Sequence, residues 1–253
     1  MFSNAIVRSP CYNMVSGITT AELGQPNFEV AQRQHKKYIE ALETCGVNVT
    51  VLEPDEDYPD SVFVEDTALI TPECAIITNP GALSRRGETE SMGTALLEFF
   101  SEIEEIKTPG TLDAGDIMMV GSHYYIGLSA RTNPAGAQQL IEILKRYDLT
   151  GSTVDMAGIL HLKTGLSYLE NNLLLIASGF LNEPQFKDFD RIEIADDESY
   201  GANSVWVNGT VLVPAGFPKA KAGIESKGLK TIELNMSEFQ KLDGGLSCLS
   251  LRF

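Results

Sequence analysis

The stretch ANSVWVNGTVLVPAG, residues 202–216, predicts two short strands joined by a tight turn. Asn208-Gly209 is a dipeptide that a two-residue hairpin turn favours, because both central positions of that turn need a positive φ. Apolar residues fill the runs on both sides, and small residues end the second run. We therefore expect a β-hairpin here, and its pattern recurs elsewhere in the chain.

Three other segments repeat the same order of polar entry, apolar run, short turn, second apolar run and small-residue end. They are DSVFVEDTALITPECAIITNPG (60–81), DAGDIMMVGSHYYIGLSA (113–130) and TGLSYLENNLLLIASG (164–179). A fifth copy, GGLSCLSLRF (244–253), contains one strand, and NAIVRSP (4–10) is its predicted partner. Within the first copy we expect DSVFVED to be extended. The equivalent points that we assign to the five copies are Phe63, Ile117, Tyr168, Val205 and Cys248.

Connecting segments lie between the hairpins, and two of the five are only weakly helical. Apolar residues at helical spacing predict helices around residues 31–42 and 137–144, the second ending near Tyr147. One short extended piece follows each connection: VNVTVLEP (47–54), SEIEEIKTP (101–109), GSTVDMAG (151–158), DRIEIADD (190–197) and KTIELNM (230–236). The sequence thus predicts an α/β fold of five ββαβ units in one domain, residues 1–253, and a closed ring is the simplest arrangement. An open α/β sheet with weak internal similarity is the alternative.

The composition excludes several classes of protein. A formal net charge of −16 disfavours binding to nucleic acid or to anionic membranes, because phosphate binding needs a basic surface. Four cysteines without C-x-x-C spacing fit neither a disulfide framework nor a zinc site, and the three histidines show no paired metal-ligand spacing. With neither a signal peptide nor a membrane-length apolar run in the sequence, we expect a cytoplasmic protein.

A closed ring would bring the starts of the units together, and reactive side chains occur there. They are Asp60, Glu65 and Asp66 in the first copy, Asp113 and Asp116 in the second, His161 just before the third and Cys248 in the fifth. Carboxylates from two copies suit a cationic ligand such as a guanidinium. Exposed strand charges and ordinary turns remain the alternatives for these acidic residues.

Cys248 has two interpretations. A single cysteine near a strand is usually a small buried apolar residue, but Gly244-Gly245 would let a ligand approach it closely. As a nucleophile it would need a cationic neighbour or substrate to favour the thiolate. His161 is either a core histidine or a general acid and base. We interpret His35 and His123 as structural.

Two arginines and one loop complete the candidates. Arg85 in SRRGET and Arg131 in SARTN follow the second strands of neighbouring hairpins, so they are either solvated or form a clamp for a substrate carboxylate. MVSGITTAELGQP (14–26), with glycines near both ends, has the composition of a lid or of a plain surface loop.

Seven motifs together resemble the dimethylarginine dimethylaminohydrolase family of the guanidine-modifying (pentein) superfamily. They are PDSVFVEDTA (59–68), SRRGETE (84–90), PGTLDAGDIMMVG (109–121), SARTN (129–133), LHLKTGLSYLE (160–170), ANSVWVN (202–208) and DGGLSCLSLRF (243–253). They run through nearly the whole chain in the family's order. The resemblance implies a five-bladed β/α propeller with pseudo-five-fold symmetry. It also implies hydrolysis of methylated arginine to citrulline and an alkylamine, with no cofactor and no metal.

By the same resemblance, Cys248 is the nucleophile, His161 transfers protons, and Asp113 holds the guanidinium and orients the histidine. Some bacterial relatives carry Glu where this chain has Asp113, so the carboxylate reaches one methylene less far. The implied substrate-binding residues are Asp60, Glu65 and Asp66 with Phe63 at the guanidinium end, Arg85 and Arg131 at the α-carboxylate, and the Ile18 carbonyl at the α-amino group.

Other functions stay open at this point. Arginine deiminases share the thiol chemistry but usually carry an inserted helical domain, for which 253 residues leave no room. Agmatine deiminases act on a substrate without a carboxylate for the two arginines. A non-enzymatic propeller, such as a ribosome anti-association factor, needs no converging thiol and imidazole. The expected partner is a small-molecule substrate, with neither nucleic acid nor membrane, and a homodimer is one assembly that the sequence allows.

Overall fold

Five small β-sheets make up the framework of the protein. The structure is a computed structural model that describes residues 1–156 and 160–253, and within these residues each sheet has three strands. In every sheet the middle strand pairs antiparallel with one neighbour and parallel with the other. The strands are β1 (Asn4–Arg8), β2 (Asn48–Leu52), β3 (Ala68–Ile70), β4 (Ala75–Ile77), β5 (Ile103–Glu105), β6 (Ile117–Val120), β7 (His123–Leu128), β8 (Thr150–Asp155), β9 (Leu166–Tyr168), β10 (Leu173–Ala177), β11 (Asp190–Ile194), β12 (Val205–Val207), β13 (Thr210–Pro214), β14 (Lys230–Leu234) and β15 (Leu251–Arg252).

The sheet pairing confirms the predicted units. The hairpins are β3–β4, β6–β7, β9–β10 and β12–β13, and the strand near the carboxyl end, β15, pairs antiparallel with β1. The outer strands β2, β5, β8, β11 and β14 correspond to the five predicted extended pieces. The last two residues predicted for GSTVDMAG, 157 and 158, lie outside the described residues.

Helices connect the middle and outer strands of most sheets. They are α1 (Phe28–Thr44), α2 (Glu88–Leu96), α3 (Pro134–Arg146) and α5 (Pro218–Ser226), whereas the short helices α4 (Leu162–Gly165) and α6 (Ser237–Gln240) follow the outer strands β8 and β14. Asn27 caps α1 and Asn133 caps α3 through side-chain oxygens that accept backbone N–H groups of the first turn. The connection from β10 to β11 instead holds two 3₁₀ turns, Ser178–Phe180 and Pro184–Phe186. Of the helices in the described ranges, none combines the length and the apolar character of a membrane span.

Apolar clusters join each sheet to the next. Ile6 and Leu251 of the β15–β1–β2 sheet pack with Ala75 and Met92 of the β3–β4–β5 unit. Equivalent clusters join the β3–β4–β5 unit, which is the first, to the second, the second to the third and the third to the fourth. A further cluster joins the β12–β13–β14 unit to β1 and α1. Neighbouring units therefore share their cores, and the series returns to its start.

In every sheet, a short helical turn precedes the strand that pairs antiparallel with the middle strand. These turns are Val64–Thr67 before β3, Ala114–Asp116 before β6, α4 before β9, Asp196–Ala202 before β12 and Ser247–Leu249 before β15. The expectation that DSVFVED is extended is therefore wrong. Val62, Phe63 and Val64 are all buried in sequence, and the turn that follows buries Glu65 and Asp66 together. An extended strand would send those two neighbouring carboxylates to opposite faces.

Hydrogen bonds connect these turns around the molecule. The Asp66 carboxylate accepts the Gly115 amide at 3.1 Å, and Asp116 accepts the Leu162 amide at 3.0 Å. The Ser167 hydroxyl donates to the Ala202 carbonyl at 2.6 Å. Two more bonds complete the series: Asn203 Oδ1 accepts the Ser247 amide at 3.0 Å, and Ser247 Oγ donates to Glu65 at 2.8 Å. The turns are thus fixed relative to one another by buried polar contacts.

Candidate active site

One cavity opens where the helical turns meet. Except for Glu65 and Asp116, every residue that the sequence singles out for catalysis or substrate binding lines it. These residues are Ile18, Asp60, Phe63, Asp66, Arg85, Asp113, Arg131, His161 and Cys248. Glu65 lines an adjoining cavity that also includes His161 and Cys248. Residues that are distant in sequence are therefore brought to one place by the five units.

Cys248 lies in the turn Ser247–Leu249, not in a strand, and its sulfur accepts a hydrogen bond from the Gly245 amide at 3.4 Å. The segment before Cys248 can pack against Phe63 because residue 244 is glycine. A side chain at this position would overlap the Phe63 ring. Burial, followed by the charges of Glu65 and Asp66, raises the pKa of Cys248 to about 12. Without a ligand, the sulfur is therefore a neutral thiol.

His161 precedes α4 and points into the same cavity. Its Nε2 lies 3.1 Å from Asp113 Oδ2 and 4.0 Å from Asp66 Oδ1. Burial opposes a charge on the imidazole, but Asp66, Asp113 and Asp116 outweigh burial and raise the pKa of His161 to about 9. His161 is therefore a proton donor near neutral pH. Asp113 is held in turn, because its Oδ1 accepts the Gly81 amide at 2.8 Å.

Arg85 is buried inside the cavity wall and already paired. Its guanidinium donates to Asp66 at 2.5 Å and to both oxygens of Glu88 at 3.0 and 2.7 Å. Nη2, the nitrogen that donates to Glu88 Oε2, also donates to the carbonyls of Asp60 and Phe63. Burial opposes ionisation of Asp66, yet His161 and Arg85 lower the pKa of Asp66. The contacts leave one Arg85 N–H, on Nη1, for a ligand.

The outer end of the cavity carries Arg131, Asp60 and Ile18. Arg131 is half-buried, and within residues 1–156 and 160–253 its guanidinium has no hydrogen bond or salt bridge. Asp60 accepts the Ile18 amide at 3.0 Å, which attaches the predicted lid to the cavity wall. Burial raises the pKa of Asp60, although the positive charges of Arg85 and Arg131 act against this.

The adjoining cavity contains residues that sequence reasoning missed. Lys163 forms a salt bridge with Glu65 at 2.6 Å, and Ser247 donates to the other Glu65 oxygen. Asn203 from the fourth unit donates to the Lys163 carbonyl at 2.9 Å and to Ser247 Oγ at 3.1 Å. Asn203 and Lys163 lie in the motifs ANSVWVN and LHLKTGLSYLE, but nothing in either motif indicates their long-range partners.

Asp66, Asp113 and His161 each present one oxygen or nitrogen atom within 4.8 Å of the others, a spacing that a metal ion could occupy. The oxygens of Asp66 already accept from Arg85 and from the Gly115 amide. A protonated imidazole has no lone pair for a metal. We therefore interpret this cluster as an ion pair between His161 and two carboxylates.

The other two histidines lie outside both cavities. His35 is buried in α1, and burial lowers its pKa to about 4. His123 begins β7, and its ring nitrogens pair with the hydroxyls of Thr150 and Ser152 at 2.8 Å each. Both positions agree with the structural interpretation made from the sequence.

The fold and the site define a class: α/β proteins of five three-stranded sheets whose buried turns bring a thiol, an imidazole and paired carboxylates around a small cavity. The family model described as "N,N dimethylarginine dimethylhydrolase, eukaryotic" matches residues 19–198. N(G),N(G)-dimethylarginine dimethylaminohydrolase of Pseudomonas aeruginosa is 53% identical over 100% of both chains. The enzyme of the same name from Streptomyces coelicolor is 33% identical over 98% of this chain and 96% of its own. The chain belongs to the dimethylarginine dimethylaminohydrolase family.

Solved structures extend these similarities to the backbone. A cysteine-to-serine mutant of the Pseudomonas aeruginosa enzyme in complex with citrulline is 53% identical and superimposes with a TM-score of 0.99, covering 100% of both chains. A histidine-to-glycine mutant of dimethylarginine dimethylaminohydrolase, as an adduct with S-methyl-L-thiocitrulline, gives the same values. The amino-terminal domain of ArgZ, an arginine dihydrolase from cyanobacteria, is 21% identical with a TM-score of 0.87, which is a likeness of fold alone.

Proposed function

We propose that the protein hydrolyses Nω-methylated L-arginine to L-citrulline and dimethylamine or methylamine. The observation that carries this proposal is the meeting of Cys248, His161 and two buried carboxylates in one cavity of a chain from this family. Relatives with the same backbone bind citrulline or form an adduct with S-methyl-L-thiocitrulline, compounds of the expected shape.

The deep end of the cavity suits a guanidinium. Asp66 and Asp113 present carboxylate oxygens beside His161, and Phe63 covers the same end. A positive ligand placed there would favour the Cys248 thiolate over the thiol, because an opposite charge nearby stabilises the ionised form. In the absence of a ligand, the negative charges of Glu65 and Asp66 favour the Cys248 thiol over the thiolate. The substrate would therefore help to activate its own nucleophile.

The chemistry follows in two steps. The Cys248 sulfur attacks the central guanidinium carbon, and the methylated amine leaves with a proton from His161, which leaves a thiouronium on the cysteine. His161 then takes a proton from water, and the hydroxide displaces the sulfur to give citrulline and the free thiol. Asp113 would keep the His161 ring oriented through both steps. Only side chains and water are used.

The outer end suits the amino-acid group of the substrate. We assign the α-carboxylate chiefly to Arg131, whose guanidinium lacks a partner in the described part of the chain, with one further N–H from Arg85. The Ile18 carbonyl would accept from the α-amino group, and Asp60 holds Ile18 in place. Glu65 would contribute to the guanidinium end of the site from the adjoining cavity, where it is paired with Lys163.

The architecture supports a ring. We infer that the five units close into a five-bladed β/α propeller of ββαβ units with pseudo-five-fold symmetry, forming one catalytic domain over residues 1–253. Shared cores and turn-to-turn hydrogen bonds that return from the fifth unit to the first support this arrangement. All four cysteines are free thiols, which suits the reducing cytoplasm that this chemistry would need.

The decisive experiment is a citrulline assay with asymmetric dimethylarginine, monomethylarginine and arginine. We expect turnover of the methylated substrates and a loss of at least about a thousandfold in Cys248→Ser, since a hydroxyl is a far weaker nucleophile than a thiolate. Thr210→Ser, a conservative change on β13 away from the cavity, is the control and should retain wild-type turnover. Full citrulline production by Cys248→Ser would refute the mechanism. Production from arginine alone would instead assign an arginine deiminase activity.

A further inference from the structure

The segment that precedes the nucleophile, residues 243–245, is held from two neighbouring elements. Asp243 Oδ2 accepts the Thr20 amide at 2.6 Å and the Thr20 hydroxyl at 3.0 Å. The Tyr200 hydroxyl donates to the Gly244 carbonyl at 2.7 Å. Thr20 belongs to the predicted lid and Tyr200 to the helical turn of the fourth unit. Three parts of the chain thus meet directly before Cys248.

The backbone at Asp243 indicates that its side chain has a use. Gly244 N–H bonds to the Phe239 carbonyl and Asp243 N–H to the Gln240 carbonyl, the pattern of a Schellman motif that ends α6. Asp243 occupies its left-handed position with φ +57°, which glycine adopts at lower energy. The two hydrogen bonds from Thr20 give a reason for an aspartate at this strained position, because glycine has no carboxylate to accept them.

Tyr200 restrains the next residue. Its ring packs against Phe217 at a centroid distance of 5.4 Å, and burial followed by the charge of Cys248 raises the pKa of its hydroxyl. The ring of Phe63 fills the space where a side chain of Gly244 would lie. Gly244 is therefore fixed between a hydrogen bond and an aromatic ring.

The amide that follows is the one that contacts the nucleophile. In the described ranges, Gly245 provides the single backbone N–H that donates to Cys248 Sγ. Glu65 and Asp66 oppose a negative charge on this sulfur, and Lys163 favours it. A well-placed N–H donor therefore matters for the thiolate, because hydrogen bonds to a charged group are stronger than neutral ones.

We propose that Tyr200 and Asp243 are positioning residues that aim the Gly245 amide at Cys248, and that Asp243 couples this alignment to the predicted lid through Thr20. The catalytic importance of the alignment rests on the proposed function, since it assumes that Cys248 is the nucleophile. The alignment itself is a property of the enzyme without substrate.

Tyr200→Phe and Asp243→Gly test the proposal. The readouts are the rate at which iodoacetamide alkylates Cys248 from pH 6 to 10 without substrate, followed by mass spectrometry of its peptide, and the separate values of kcat and KM. We expect Tyr200→Phe to slow alkylation below the thiol pKa and to lower kcat, each by roughly three- to tenfold, with KM within twofold. Asp243→Gly should show the same slowing and also raise KM, because the lid loses its two hydrogen bonds at Thr20.

Two further variants separate positioning from general disturbance. Asp243→Asn keeps an acceptor oxygen and tolerates the left-handed position, so it should recover most of the wild-type alkylation rate. Tyr147→Phe removes a hydroxyl bond to Glu104 at 3.1 Å far from the cavity and should change nothing. Wild-type alkylation profiles and kcat in both Tyr200→Phe and Asp243→Gly would overturn the proposal.

If Tyr200→Phe fails to fold, Asp243→Gly decides alone, because glycine is favoured at its backbone position. If iodoacetamide alkylates Cys248 of the wild-type enzyme as described but the enzyme does not turn over methylarginine, the proposed function is refuted. The alkylation rates would still decide the positioning of Cys248, so the two failures are distinguishable.

Discussion

Arg85 and Arg131 occupy similar places in neighbouring units, after β4 and after β7, but their surroundings differ. Arg85 is 5% exposed and its guanidinium bonds two carboxylates and two carbonyls. Arg131 is half-buried, and its guanidinium meets no partner among residues 1–156 and 160–253. The same residue type at similar positions is therefore paired in one unit and, among the described residues, unpaired in the next. Partners already present decide whether an arginine supports the protein or is available to a ligand.

The largest effect that would test this contrast is on stability. Arg85→Met leaves Asp66 and Glu88 buried without their cation, so we expect the free energy of unfolding to fall by about 3–5 kcal/mol. Arg131→Met is the matched control and should change it by less than about 0.5 kcal/mol. Urea unfolding followed by circular dichroism measures both. Equal losses in the two variants would remove the distinction between the arginines.

The pH dependence of stability sharpens the comparison. The pKa of His161 is raised from 6.5 to about 9, so its stabilising charge is fully present below pH 6.5 and is lost as the pH rises through 9. The shift corresponds to roughly 2–4 kcal/mol. Arg131→Met should follow the wild-type decline between pH 6.5 and 9.5. In Arg85→Met the carboxylates lack a competing cation, so the decline should move to higher pH.

Urea unfolding at half-unit pH steps provides the measurement. A decline in stability at the same pH in Arg85→Met and Arg131→Met would show that Arg85 does not share Asp66 with His161. A curve for Arg131→Met that is displaced from the wild type would contradict the assignment of Arg131 to the ligand alone.

A smaller effect should appear in substrate binding. Arg131→Met removes the free guanidinium, and we expect kcat/KM for dimethylarginine to fall about 10- to 150-fold, mainly through KM. Arg131→Lys keeps the charge but loses the planar pair of donors, so it should recover part of this loss. Steady-state citrulline assays measure both. An unchanged KM in Arg131→Met would contradict its role at the α-carboxylate.

The sequence predicted the units better than the site. Hairpins depend on local turn chemistry, as at Asn208-Gly209, and outer strands are short apolar runs, so both could be identified from neighbouring residues. DSVFVED was misjudged because alternating apolar and acidic residues also fit a buried helical turn once partners exist for the acids. For the same reason Phe63 and Cys248 lie before their strands, whereas Ile117 and Val205 begin theirs.

The candidate site was predictable where few other residue types supply the chemistry that the site needs. Cys248 and His161 could be identified by their chemistry and by the resemblance of their motifs. Asn203 and Tyr200 could not, because their importance comes from contacts with residues 44 positions away. Which of Arg85 and Arg131 is already paired also depends on Glu88 and Asp66, and only the folded chain brings these together.

The five helical turns make catalytic activity a probe of the whole molecule. Each turn belongs to a different unit, and residues from all five turns line the two adjoining cavities. A protein that places its reactive groups on one element can lose a distant part and stay active. Here the opening of a single unit would disperse the site. On gradual heating, turnover should therefore disappear with the first unit that opens, before most of the secondary structure is lost.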